Sequence, residues 1–195
     1  MAQNRRSFLG NLALGAGVLA AAPLAACSGT KDESKFPHIK ELVGKNPKMN
    51  FNMCGYAAPK LDTVRVGFVG IGDRGSGAVK RMTFIEGVEI AALCDIRQAA
   101  VDGGQKILAD AGLPKAKEFV GGDLGFKEMC ESGLVDLVYI ATPWEWHVPV
   151  AIAAMEGDKH AAVEVSTAKT LDECWQMVET SERTRKHCVI LENCC

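Results

Sequence analysis

The sequence has no surplus of positive charge: 22 Lys and Arg stand against 24 Asp and Glu. These residues form no basic stripe and no pattern interleaved with aromatics, which make up only 6% of the chain. A nucleic-acid footprint needs a concentrated cationic face, so nucleic acid is excluded as a partner. Cysteine and histidine are present, but never at CxxC or HExxH spacing, which removes the usual zinc frameworks. There is no internal repeat and no low-complexity tract beyond a small-residue leader. Nor is there a long apolar run; the stretch ending at Ala26 is short and rich in Ala, Leu and Gly, which suits a signal h-region better than a membrane span. What remains is an ordinary soluble composition, 48% hydrophobic and 24% charged. The length suffices for one domain with a real core and is too short for two large ones.

The leader has its own grammar. Asn4-Arg5-Arg6-Ser7-Phe8-Leu9 is a twin-arginine signature, the mark of export in the folded state. Leu24-Ala25-Ala26-Cys27 has the form of a bacterial lipobox, in which Cys27 becomes the lipidated first residue after cleavage. The alternative is a plain export signal with a chance cysteine. Residues 1–26 are therefore assigned to a twin-arginine and lipoprotein signal, which predicts a periplasmic or cell-surface protein held to the membrane through Cys27. Its removal takes away Arg5 and Arg6 and leaves a net charge of −4. Residues 27–60 are polar at first and carry Pro37, Pro47 and Pro59. They read either as a linker or as an N-terminal arm that packs Phe51, Met53 and Tyr56 on the domain.

Residues 61–195 are organised around Val64 to Asp95. An apolar β-branched run breaks into Gly70, Gly72 and Gly75, continues as a helix through Lys80 and Arg81, and ends a second apolar run on Asp95. This order is that of a dinucleotide-binding βαβ unit. Gly70 permits the tight turn, Gly72 lets the backbone approach a pyrophosphate, and Gly75 lets helix and strand pack closely. The helix N-terminus offers unpaired N–H groups to phosphates. A carboxylate about 20 residues after the last glycine binds ribose hydroxyls and repels a 2′-phosphate, which favours NAD over NADP. Arg97, two residues further on, softens that preference.

Beyond Asp95 helical and apolar stretches alternate. Helices are predicted over 98–111, 124–132, 146–155 and 171–185, and strands over 118–120, 136–141, 160–165 and 188–191. Strands separated by helices imply an α/β fold, a Rossmann-type doubly wound parallel sheet covered on both faces. Ligands of such sheets bind beyond the carboxyl ends of the strands. That rule gathers Asp73 and Arg74 in the first turn, Asp95, the run Thr142-Pro143-Trp144-Glu145-Trp146-His147, Glu164 and Val165, and Asn193. Taken alone, Trp144 and Trp146 serve equally as core or lid aromatics, and His147 as a helix-start residue.

GIGDRGSG, CDI, ATPWEWH, HAAVEVSTAKTLDECW and KHCVILENCC together resemble glycoside hydrolase family 109. That family comprises bacterial NAD-dependent α-N-acetylgalactosaminidases within the glucose-fructose oxidoreductase and inositol dehydrogenase (Gfo/Idh/MocA) superfamily. The resemblance runs from about Leu61 to Cys195 and implies NAD contacts at Asp73, Arg74, Asp95, Trp144, Glu145, Trp146, His147, Glu164, Val165 and Asn193. Sugar dehydrogenases of the superfamily carry Glu-Lys-Pro at the fifth strand end, the lysine moving a proton. Glu164-Val165-Ser166 stands here instead, with Lys169 out of register.

The resemblance further implies a retaining glycosidase that removes terminal α-N-acetylgalactosamine from glycans by transient oxidation at C3, elimination across C2 and C1, and addition of water. This is an NAD-dependent exception to the two-carboxylate scheme, so Glu145 and Glu164 are not read as an acid–base pair. The family's second, substrate domain follows the NCC motif and is missing from this sequence, so the catalytic acid and base stay unknown and the chain is expected to be an N-terminal NAD-binding portion without activity of its own. Two alternatives stay open: a sugar oxidoreductase with net turnover, and an inactive lipid-anchored nucleotide-binding fragment. Cys94, Cys130 and Cys188 read as buried thiols, Cys194 and Cys195 as a free pair, and no metal site is expected.

Overall fold

The structure is a computed structural model that describes residues 51–122 and 124–192. Among the described residues, twelve short segments build one sheet and its covering helices. They run β1 (Val64–Val69), α1 (Asp73–Met82), β2 (Val88–Asp95), α2 (Gln98–Asp110), β3 (Lys117–Val120), α3 (Gly125–Glu131), β4 (Leu137–Ile140), a 3-10 turn (Trp144–Trp146), α4 (His147–Glu156), β5 (His160–Val163), α5 (Leu171–Thr184) and β6 (Cys188–Ile190). All strand pairs are parallel and the order is β3-β2-β1-β4-β5-β6. That order places the reversal of winding between β1 and β4, where doubly wound sheets open a crevice for their ligand.

The strands read as nearly continuous apolar runs because both faces are covered. Val66 and Phe68 of β1, Leu93 of β2 and Tyr139 of β4 point to one face, where they pack with Val79 of α1 and Val101 and Leu108 of α2. Val69, Cys94, Val138, Ile140 and Val163 point to the other, against Met129 of α3, Val150, Ala151 and Met155 of α4, and Met177 of α5. A residue step along each strand thus changes core, as the two-residue period of a strand requires.

Helix ends follow local chemistry. α5 begins with a complete capping box: Thr170 accepts from the Glu173 backbone N–H, and the Glu173 carboxylate accepts from the Thr170 N–H at 3.0 Å. α2 stops one residue earlier than the predicted 111, before Gly112 in the left-handed region. The strand predicted over 160–165 ends at Val163, which leaves Glu164 and Val165 in the loop that leaves the sheet. The helix predicted from Trp146 is a 3-10 turn first and an α-helix only from His147.

Of the segment 27–60, residues 51–60 are described, and Phe51 and Tyr56 make contacts with the domain. Phe51 and Tyr56 meet edge to face with centroids 5.7 Å apart, Tyr56 lies 5.4 Å from the His187 ring, and the Arg185 guanidinium sits 4.8 Å over Phe51. These contacts sit beside the start of β6, at the end of the sheet opposite the strand carboxyl ends. Residues before 51, including the leader and Cys27, lie outside the described residues.

Candidate functional site

Gly70 leaves β1 with φ +86°, and a Cβ there would stand 2.7 Å from the Ala141 carbonyl oxygen. Only glycine combines that dihedral with so close a neighbour. Gly75, one turn into α1, is buried with its Cα against the Gly70 carbonyl, so any side chain would overlap that oxygen. Gly72 differs: a Cβ there would meet only the Arg97 guanidinium, at 3.6 Å. The turn is closed on the protein side and open on the side of the crevice.

That crevice is a cavity of about 400 Å³ between β1 and the ends of β2 and β4. Gly70, Gly72, Asp95, Arg97, Thr142 and Trp146 line it, with Cys94, Ile96, Phe126 and Val150 supplying an apolar wall. Trp146 packs on Phe126 at 6.1 Å between centroids. Burial raises the Cys94 thiol to about 12, helped by the neighbouring Cys130 and the Asp95 charge, so it stays protonated and acts as a small apolar surface.

Asp95 is the anion of the cavity. Its side chain is 7% exposed. Oδ2 accepts the Ile71 backbone N–H at 2.7 Å and Oδ1 accepts the Arg97 N–H at 2.9 Å, with the Arg97 Nε 3.5 Å away. The carboxylate therefore ties the end of β2 to the glycine turn while its remaining lone pairs face the cavity.

A second polar chain crosses the rim behind it. The Tyr139 hydroxyl donates to Glu164 Oε1 at 2.7 Å, and Arg74 Nε lies 3.0 Å from Glu164 Oε2. Glu164 is buried and Arg74 half exposed. Burial, and then the Glu164 carboxylate, push the Tyr139 phenol up to about 12. Tyr139 is the residue that sequence reading missed; its only signal was one hydroxyl in the otherwise apolar strand Leu137-Val138-Tyr139-Ile140.

His147 is a buried helix-start residue with both ring nitrogens engaged. Nδ1 lies 2.7 Å from the Ser166 carbonyl oxygen and Nε2 lies 2.9 Å from that of Thr142. The ring thus spans the loops that follow β4 and β5. The Val165–Ser166 peptide, in the loop after β5, is cis.

The sequence-predicted residues accordingly divide. Gly70, Gly72, Asp95 and Trp146 line the cavity. Gly75 supports the turn from behind, and His147 braces two loops beneath it. Asp73, Arg74, Trp144, Glu145, Glu164 and Val165 stand around the strand ends without lining it; Trp144 is 59% exposed and Val165 42%. Asn193 lies outside the described residues. Ile96, Phe126 and Val150 line the cavity unforeseen, because an apolar wall is indistinguishable in sequence from core.

The sequence profile described as "Oxidoreductase family, NAD-binding Rossmann fold", that of Gfo/Idh/MocA proteins, matches residues 64–192. The chain belongs to this family. Within the Gfo/Idh/MocA family it is similar to glycosyl hydrolase family 109 proteins. It is 49% identical to protein 1 of that name from Bacteroides thetaiotaomicron over 84% of this chain and 35% of the relative. Identity to the Shewanella pealeana protein is 42%, over 99% of this chain and 40% of the relative. The chain thus spans little more than a third of the length of the curated relatives it matches. Among solved structures, scyllo-inositol dehydrogenase from Lactobacillus casei with bound NAD(H) and scyllo-inositol shares the fold, with a TM-score of 0.57 at 20% identity over 66% of this chain and 36% of that one.

The cofactor of this Gfo/Idh/MocA chain is NAD, and the cavity fits it. Gly72 leaves its crevice side open, Asp95 presents a carboxylate, and the Thr142 hydroxyl is buried beside the cavity without a hydrogen-bond partner. An orphaned hydroxyl of this kind is costly unless a ligand or water satisfies it.

Proposed function

We propose that the chain is the NAD-binding portion of a retaining glycosidase that removes terminal α-N-acetylgalactosamine from glycans. The observation that carries this reading is the exit of β5. Glu164 is sealed between Tyr139 and Arg74, and the next residue is Val165, where a sugar dehydrogenase of the superfamily carries its proton-moving lysine. The similarity to family 109 proteins over most of the chain supports the same reading.

Bound NAD would supply reversible oxidation at C3 of the sugar, which acidifies the C2 proton so that the aglycone leaves from C1 and water adds with retention. The chain's own residues bind and orient. Asp95 holds ribose hydroxyls, the Gly70-to-Gly75 turn and the backbone N–H groups of Asp73 and Arg74 at the α1 N-terminus take the pyrophosphate, and Trp146 with Phe126 forms an apolar wall that excludes water. The resemblance to family 109 adds Trp144, Glu145, His147, Glu164, Val165 and Asn193 as further NAD contacts. The sugar-gripping half and the catalytic acid and base belong to the length of the relatives that this chain does not span. The leader supports export by the twin-arginine route, and Cys27 supports a lipid anchor at the periplasmic or cell-surface membrane.

The test is a protein that carries this chain with the remaining length of its relatives, incubated with NAD and an aryl α-N-acetylgalactosaminide. Release of the aryl alcohol without net reduced nicotinamide is the expected result. Sugar-dependent accumulation of NADH, with no release, would replace the glycosidase by a sugar oxidoreductase.

A further inference from the structure

We infer that His160 is an acid-triggered release for the N-terminal arm: a proton taken up at its Nδ1 removes the acceptor that holds the start of β6 and, with it, the ring on which Tyr56 packs.

The fastening is a file of rings. Phe51 meets Tyr56 edge to face at 5.7 Å, Tyr56 lies 5.4 Å from the His187 ring, and His187 stacks on His160 at 5.3 Å with the ring planes 26° apart. On the sheet side His187 is held by two hydrogen bonds. Its carbonyl accepts the Ala161 N–H at 2.9 Å, and its own N–H donates to His160 Nδ1 at 2.9 Å. A backbone N–H can only donate, so Nδ1 is the bare nitrogen of the neutral His160 ring and the ring proton sits on Nε2. A second proton has one place to go, Nδ1. There it sets N–H against N–H and leaves the His187 amide without its partner.

The charges around the ring are already matched. Asp158, in the turn before β5, is paired with Lys186 at 2.7 Å, and Asp136, at the entry to β4, is paired with Arg65 at 2.6 Å. Lys159 donates to the Gly157 carbonyl, and the Arg185 guanidinium lies over Phe51. Burial, then Lys186 and His187, oppose a charge on His160, while Asp158 and Asp136 favour one; the balance keeps the ring neutral until the pH falls below the ordinary 6.5. Once charged, His160 faces the Lys186 ammonium and the stacked His187 ring. Release frees residues 51–56 and leaves the cavity, at the other end of the sheet, in place. The freed stretch lengthens the chain that enters the domain by up to about 3.5 Å per residue, so acidity sets its reach.

The experiment is an NMR titration of the full chain, labelled in Tyr, His and Phe, from about pH 7.5 to about pH 5. Two tyrosines and four histidines keep the rings separable. Cross-relaxation between the Tyr56 and His187 rings is expected at the neutral end. It should vanish with the midpoint at which His160 itself titrates, while amide protection over residues 51–56 falls about tenfold and Tyr139 stays stacked on Phe68. His160→Asn places an uncharged acceptor oxygen where Nδ1 stood, so its arm should stay docked throughout. Tyr56→Ala should leave the arm unprotected already at neutral pH. A Tyr56–His187 contact that survives protonation of His160, or is lost at a pH apart from the His160 midpoint, would overturn the inference; both readings use the unaltered chain and hold even if a variant does not fold. So would a folded His160→Asn that releases the arm at the same pH as the unaltered chain, or a folded Tyr56→Ala that keeps the arm protected. Loss of the Tyr139–Phe68 contact in step with the arm would overturn it too, since protonation would then unfold the domain and not release the arm.

Discussion

Asp95 accepts the backbone N–H of Ile71 at 2.7 Å, so the acid at the end of β2 is bonded to the glycine turn at the end of β1. One side chain thereby fixes the shape of the turn and presents charge to the cavity. Asp95→Ala removes both. Leaving the buried N–H unsatisfied should cost about 1–3 kcal/mol of stability, measured by urea denaturation. NAD affinity should fall about tenfold or more for the lost charge-assisted contacts. A variant that lost stability but kept NAD affinity would place the ribose elsewhere.

Gly75 is the second point on which the turn depends. Its Cβ position is occupied by the Gly70 carbonyl oxygen, so Gly75→Ala must push α1 away from β1. Strain of this kind costs about 1–3 kcal/mol. NAD binding should weaken beyond what the stability loss accounts for, because the helix N-terminus moves from the cavity. Gly103, which has open space around its Cβ position, is the control: Gly103→Ala should be neutral or stabilising by about 0.5–1 kcal/mol in a helix interior.

Tyr139→Phe keeps the ring that stacks on Phe68 at 5.0 Å and removes the hydroxyl that donates to Glu164 and meets Arg81. The buried carboxylate then retains Arg74 alone, at a cost of about 1–3 kcal/mol. Denaturant unfolding checks the magnitude, and a double-mutant cycle with Glu164→Gln should show coupling between the two positions.

The structure also dictates an acid limb to stability in two steps. Burial, and then the Lys186 charge and the neighbouring His187, hold His160 below the ordinary 6.5. It is neutral in the fold, so the unfolded chain binds more protons and stability declines as pH falls below about 6.5. Hydrogen bonds from Arg65, whose Nη2 lies 2.6 Å from Oδ1, hold the Asp136 carboxyl below the ordinary 3.8, against the opposing effect of burial. Its contribution is complete above that value and is lost as pH falls below it, through the lower value of the folded state. Thermal unfolding against pH should show His160→Gln removing the upper step and Asp136→Asn flattening the lower one.

The frame of this fold was legible because its signals are local and redundant. Glycines at 70, 72 and 75, an acid closing the second strand, and apolar runs between helical stretches gave the doubly wound parallel sheet and the end of it at which the cavity opens. Boundaries moved by a residue or two where a cap or a 3-10 turn intervened, as at Trp144. The site was less legible where it depends on side chains meeting across the sheet. Nothing in the sequence pairs Tyr139 with Glu164, since the two are joined only by the register of β4 and β5. Nor does it distinguish Phe126, a cavity wall, from the core phenylalanine Phe68. Trp144 and Glu145, placed at the rim by chain order and by the resemblance, stand at the strand ends without lining the cavity, because the 3-10 turn carries them outward and brings Trp146 inward.

The most direct measurement is a calorimetric titration of the folded chain with NAD, repeated with Asp95→Ala. The account predicts one NAD per chain, with affinity sharply reduced in the variant. A folded chain that takes up no NAD, or one whose affinity is untouched by loss of the Asp95 carboxylate, would contradict it.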